Sequence, residues 1–191
     1  MIGEGGKPFM KLAVIFPGIG YHVDKPLLYY SRKLALQYGY QVINVPYGNF
    51  PADVKGSEEK MREAFQSALS QTEEILKDVP FENYEEIVFI AKSVGTAVAS
   101  AYGQRHRLHT RNLYYTPVEA SFRWMEEPGI VFHGTRDSWA DTERIQEECE
   151  RRGFPLYLTE GANHSLETGD TGRDLENLIG IMKRAEEYLK C

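Results

Sequence analysis

In the segment IVFIAKSVGTAVASAYG (residues 87–103), a serine stands where a buried-strand pattern runs into a helix rich in small residues. A serine at such a turn points its hydroxyl out above the strand ends. The amide that follows it lies at the start of a helix, where N–H groups face anions. Ser93 is thus placed to act as a nucleophile, and the Val94 amide to donate to the charge developing on an attacked carbonyl. The turn folds back tightly and needs small residues two positions to either side; Gly95 meets this and Ala91 comes close. An isolated S-x-G also suits a serine that only caps a helix. The strand–turn–helix setting favours the nucleophile.

Two further segments supply partners. In GIVFHGTRDSWAD (129–141), Asp137 lies in the loop after an expected strand, and in PLYLTEGANHSLETGD (155–170), His164 does the same. Parallel strands open their carboxyl ends onto one edge, where ligands bind, so both side chains can approach Ser93. The chemistry is that of a hydroxyl activated by an imidazole, with a carboxylate orienting the imidazole. Asp141 and Glu119 are rival acids, although Asp141 suits the N-cap of the next helix better. His22, His106, His109 and His133 are expected to be solvated or structural. A fourth segment, FPGIGYHVDKP (16–26), places Gly18 and Gly20 in a turn that presents backbone N–H groups. It lacks both G-x-G-x-x-G and the P-loop Lys-Ser/Thr, which disfavours phosphate binding.

The elements that must position these residues alternate along the chain. Short apolar runs at 11–16, 41–45, 86–91, 112–116, 129–133 and 155–159 have the length and composition of strands. Near-continuous apolarity, as in LAVIF and IVFIA, suits central strands covered on both faces. Between them lie helical patterns. One follows Asp24 and Pro26 and ends near Gly39. Another starts after Ser57, a good N-cap, and stops before Pro80, with apolar residues three and four apart at Met61, Ala64, Phe65, Ala68, Leu69, Ile75, Leu76 and Val79. The last carries Leu175, Leu178, Ile179, Met182 and Leu189, and its opening TGRD has the form of a capping box. Such alternation implies right-handed crossovers and a parallel sheet between two helical layers. Repeats, low-complexity tracts and linkers are lacking, so one domain over 1–191 is expected, with 1–9 as a flexible tail.

The chain has 191 residues and a net charge of −6, which argues against a phosphate-binding surface. No apolar run approaches the ~20 residues of a membrane span, and the amino terminus lacks the layout of a signal peptide. Cys149 and Cys191 are expected to be free thiols in a reducing, cytoplasmic setting. A small-molecule substrate is expected, without nucleic acid or membrane as partner; a homodimer stays open.

From PGIG through AKSVG and HGTRD to NHSLE, the sequence resembles the α/β-hydrolase superfamily, and looks closest to small lidless members of the dienelactone-hydrolase-like and carboxylesterase-like groups. The order Ser, acid, His along the chain matches that superfamily. The resemblance implies a triad of Ser93, Asp137 and His164 and no metal or organic cofactor. It implies an oxyanion hole from the amides of Val94 and Ile19. The first strand matches the third of larger members, whose opening hairpin is missing. This implies about six strands in the order 2-1-3-4-5-6. Only residues 117–128 occupy the place where relatives insert a cap domain, so an open site is expected. Gly18, Gly20, Tyr21 and Trp139 are expected to line it, with Phe122, Trp124 and Met125 as further candidates for its rim. The sequence departs from the resemblance at Ala91, where glycine is usual, and at Lys92, for which a structural salt bridge is the ordinary expectation. The implied activity is hydrolysis of a small acyl ester. Peptidase, thioesterase and acyl-transfer chemistry share the same triad, and a non-catalytic binding protein of the same fold is the alternative.

Overall fold

A computed structural model describes residues 10–126 and 128–190. The expected tail at 1–9 and Cys191 lie outside the described residues. Among the described residues six strands form one parallel sheet: β1 Lys11–Phe16, β2 Tyr40–Asn44, β3 Glu86–Lys92, β4 Arg111–Tyr115, β5 Gly129–Gly134 and β6 Leu156–Thr159. Their order is β2-β1-β3-β4-β5-β6. The strands fall within a residue of their expected positions, because each apolar run is bounded by residues that cannot extend it. Among the described residues four helices connect strands, α1 Pro26–Gln37, α2 Glu58–Leu76, α3 Val94–His106 and α4 Thr142–Arg152, and a fifth, α5 Thr171–Lys190, follows β6.

Side chains alternate across the sheet, and the two faces have separate cores. Leu12, Val14, Phe16, Phe89, Ala91, Tyr114 and Val131 pack with Ala68, Leu69, Val98, Tyr102 and Ile145 of α2, α3 and α4. Ala13, Ile15, Val88, Ile90, Leu113 and Phe132 pack with Leu27, Leu28, Ala35, Ile181 and Ala185 of α1 and α5. The result is a three-layer sandwich. Among the described residues between β4 and β5, only a short 3-10 turn, Glu119–Arg123, takes the place of a cap.

Three helix ends differ in detail from expectation. The α2 helix does close on Ser57, whose Oγ accepts from the Lys60 amide at 3.3 Å. It stops at Leu76, before Val79, because the Val79 amide bonds Leu76 O and starts a turn. The cap of α5 lies one residue before TGRD: Asp170 accepts from the Arg173 amide at 2.9 Å, while Asp174 reaches back to Thr168. At α1 the cap position is Lys25, without a side-chain bond, and Asp24 pairs with Arg32 at 3.0 Å.

Gly95 carries the contact that seats α3 on the sheet. A Cβ there would meet Pro17 O at 2.4 Å and Phe16 O at 2.5 Å, both backbone atoms at the end of β1. Gly95→Ala is expected to lower stability by about 1–3 kcal/mol through overpacking, read as a lower urea midpoint with unchanged slope. A midpoint equal to wild type would show that α3 can lift from β1 at no cost.

Candidate active site

Ser93 follows β3 and precedes α3, with φ 55° and ψ −126°. That conformation favours glycine, so the side chain there is held against local strain of about 1–3 kcal/mol. It is anchored by the Ser93 amide bonding Tyr115 O at 2.9 Å, and by the Thr96 amide and hydroxyl bonding Ser93 O. Gly18 lies against it: a Cβ on Gly18 would stand 3.1 Å from Ser93 Cβ. Gly18 and Tyr21 close a tight turn through reciprocal backbone bonds of 3.1 and 3.2 Å, with Gly20 at φ 70°. The N–H groups of Ile19 and Val94 make no hydrogen bond to any described residue.

Asp137 sits in the loop after β5. Its amide bonds Gly134 O, and its Oδ1 accepts from the Trp139 amide at 2.8 Å. Its Oδ2 accepts from His164 Nδ1 at 2.7 Å, and its side chain is 0% exposed. On the other edge of the same imidazole, His164 Nε2 accepts from Ser93 Oγ at 2.8 Å. These two bonds assign the proton of neutral His164 to Nδ1.

The loop carrying His164 is pinned from several sides. Thr116 Oγ1 donates to His164 O at 3.0 Å, and the Arg136 amide to Ala162 O at 2.8 Å. The Asn163 side chain accepts from the amides of Ser165 and Glu167. The loop passes so close to β5 that a Cβ on Gly134 would meet Ala162 O at 2.4 Å. Trp139 stacks on the His164 ring, with centroids 5.3 Å apart and planes at 24°. Lys55 Nζ lies 5.4 Å over the Trp139 ring and donates to Ser138 Oγ.

Burial drives the His164 pKa below its usual 6.5, and the nearby Lys92 charge acts in the same direction; the bond to Asp137 opposes both. Burial alone would raise the Asp137 pKa, but hydrogen bonding and charge from His164, with the Trp139 amide, leave it below the ordinary value. Asp137 is therefore ionised and His164 neutral near neutral pH.

The structure brings Ser93, Asp137 and His164 together, with Gly18 and Trp139 beside them. Tyr21 is buried below the turn, its hydroxyl accepting from the Leu27 amide at 3.1 Å, so it supports the site from beneath and does not line it. The expected rim of Phe122, Trp124 and Met125 is a correction. Phe122 and Met125 are buried in the core on the α3 side, and Trp124 stacks on Phe65. The rival acids are engaged elsewhere: Asp141 caps α4 through the Arg144 amide, and Glu119 holds the Arg144 guanidinium at 3.0 Å. Lys92 is also a correction, because it makes no ion pair among the described residues and sits 5.0 Å over the Tyr21 ring.

Sequence reasoning missed Thr116, Gly134 and the reach of His133. His133 is fully buried, bonds Thr142 Oγ1 through Nε2, and directs an unpartnered Nδ1 to within 3.7 Å of Asp137 Oδ2. The only available signal was that H-G-T-R-D spaces histidine and aspartate four apart across a turn. Among the described residues no group of three or more His, Cys, Asp or Glu is arranged to hold a metal ion. None of the described helices is long and apolar enough to cross a membrane.

No family model and no curated protein matches the sequence. Solved structures share its fold. A lidless α/β serine hydrolase of Xanthomonas campestris is 11% identical with a TM-score of 0.61, over 96% of this chain and 84% of that one. Est1E of Butyrivibrio proteoclasticus, solved with ferulic acid bound, is 10% identical with a TM-score of 0.66, over 96% and 90%. The esterase Pf2001 of Pyrococcus furiosus is 16% identical with a TM-score of 0.63, over 95% and 82%. With six parallel strands in the order 2-1-3-4-5-6 and, among the described residues, nothing larger than a 3-10 turn between β4 and β5, this chain has the α/β-hydrolase fold in its lidless form.

Proposed function

We propose that this protein is a serine hydrolase that cleaves small acyl esters through an acyl-enzyme. The observation that carries the reading is the continuous chain Ser93 Oγ–His164 Nε2, His164 Nδ1–Asp137 Oδ2, at 2.8 and 2.7 Å. Ser93 attacks the acyl carbonyl while His164 takes its proton, and Asp137 holds the imidazole in the Nδ1–H tautomer and stabilises its cation. The free amides of Ile19 and Val94 donate to the oxyanion. Collapse of the tetrahedral intermediate expels the alcohol, which takes the proton from His164. Water, deprotonated by the same imidazole, then attacks the acyl-enzyme and releases the acid. The open strand edge, without a cap, fits a small substrate, and neighbours named as esterases favour the ester bond. A reducing, cytoplasmic setting belongs to the same reading, supported by the buried free thiol of Cys149.

The test is a fluorophosphonate probe followed by a panel of esters, thioesters and amides of varied acyl length. Probe adduct on the peptide holding Ser93, with turnover greatest for short esters, is the expected result. Intact protein that neither labels nor turns over any substrate would mark a binding protein of this fold.

A further inference from the structure

Lys92, the residue before Ser93, is a charged side chain closed inside the protein. It ends β3 on the same face as Val88 and Ile90, beside its register partner Tyr115. It is 1% exposed. Its stem packs beneath Gly18: the Lys92 Cγ would lie 3.5 Å from a Cβ on that glycine. Its ammonium lies 5.0 Å over the ring of Tyr21, at the far end of the same turn. Lys92 thus touches both ends of the Gly18–Tyr21 turn, whose middle carries the Ile19 amide.

We propose that Lys92 is a positioning residue whose ammonium, seated on the Tyr21 ring, clamps the Gly18–Tyr21 turn so that the Ile19 amide is held beside Ser93. A ring face attracts an ammonium and not a neutral amine, so the clamp exists only while Lys92 is protonated. Burial brings the lysine from its usual 10.5 down to about 7, with Asp137 and Glu167 pulling the other way. The clamp is therefore present below pH ~7 and released above it. The titratable groups around Lys92 are Tyr21 from the β1–α1 turn, Tyr115 from β4, His133 and Asp137 from β5 and its loop, and His164 and Glu167 from the loop before α5. Tyr21 and Tyr115 stay neutral throughout, because burial raises both far above the range concerned.

The consequence for turnover rests on the hydrolase reading; the clamp itself does not. In wild type, kcat for a short ester should fall on both sides of an optimum. The acid limb follows protonation of His164, below the ordinary 6.5. The alkaline limb lies near 7, with a drop of roughly 2- to 30-fold, the range of a single cation–π contact. Lys92→Met keeps the stem and removes the charge. It should erase the alkaline limb, hold kcat at the wild-type alkaline level, and move the acid limb upward, because a cation that opposed the imidazolium is gone. Tyr21→Leu should flatten the same limb and Tyr21→Phe should keep it. Amide NMR reads the clamp without turnover: the Gly18, Ile19 and Gly20 signals should titrate together with 13Cε-labelled Lys92 near pH 7 in wild type, and stay still in Lys92→Met. Turn amides that ignore the lysine titration, or a Lys92→Met profile merely scaled at every pH, would overturn the clamp. Titrating amides in a protein without Ser93-dependent turnover would keep the clamp and overturn the hydrolase reading.

Discussion

Ser93→Ala is expected to lower kcat on the order of 10⁶-fold, the loss that follows removal of an activated serine nucleophile. What remains over the uncatalysed rate, about 10³–10⁴-fold, is assigned to the amide donors and substrate binding, which the substitution leaves in place. The fold should survive, because Ser93 is held by its backbone bonds to Tyr115 and Thr96, and alanine keeps them. Its side chain contributes one bond, to His164. Backbone strain supplies an internal control. Alanine inherits φ 55°, whereas glycine accepts it freely, so Ser93→Gly should melt above Ser93→Ala by the equivalent of about 1 kcal/mol. Both variants should be equally inactive. Turnover retained by Ser93→Ala, in material free of contaminating esterase, would remove the hydrolase reading altogether.

Asp137→Asn is expected to cost about 10⁴-fold in kcat with little change in KM, because the asparagine amide donates where the carboxylate accepted. His164 Nδ1 then becomes the acceptor and turns Nε2–H toward Ser93, so the imidazole can no longer take the serine proton. The Trp139 amide keeps its acceptor, so the loop after β5 stays in place. Stability should change in a pH-dependent way. The folded Asp137 pKa is depressed, so its ionised form contributes stability above the unfolded value, and this is lost as pH falls through the folded value. Wild type and Asp137→Asn should therefore converge in thermal midpoint in acid and separate toward neutral pH. Glu119→Gln is the comparison, since it disturbs only the pairing with Arg144 and should leave kcat near wild type. A larger loss in Glu119→Gln than in Asp137→Asn would mean that the acid had been assigned to the wrong residue.

The charge states of the site come from competition, not from residue type. His164 and His133 both lie below the ordinary imidazole value because burial outweighs the facing carboxylate of Asp137. His133 does not reach hydrogen-bond distance of that carboxylate, and so leaves Oδ2 to His164. The stack of Trp139 on His164 covers one face of the imidazole ring and limits the orientations it can take.

Local pattern was enough for much of this protein. Near-continuous apolar runs placed the strands, and spacings of three and four placed the helices. Alternation of the two implied a parallel sheet with Ser93, Asp137 and His164 at its carboxyl edge. Tertiary structure alone decided the rest, because contacts between loops far apart in the chain depend on strand register and loop length, which no local window contains. Register placed Lys92 under the Gly18–Tyr21 turn, where a structural salt bridge was the ordinary expectation. Close approach made Gly134 necessary for the His164 loop, and let Thr116 hold that loop by its carbonyl. Large apolar side chains between β4 and β5 looked like a pocket rim in sequence, yet burial of apolar area drew Phe122 and Met125 into the core. The hydrogen bonds that join serine, histidine and aspartate belong to that same tertiary level, since they require three loop ends to meet to within a fraction of an ångström.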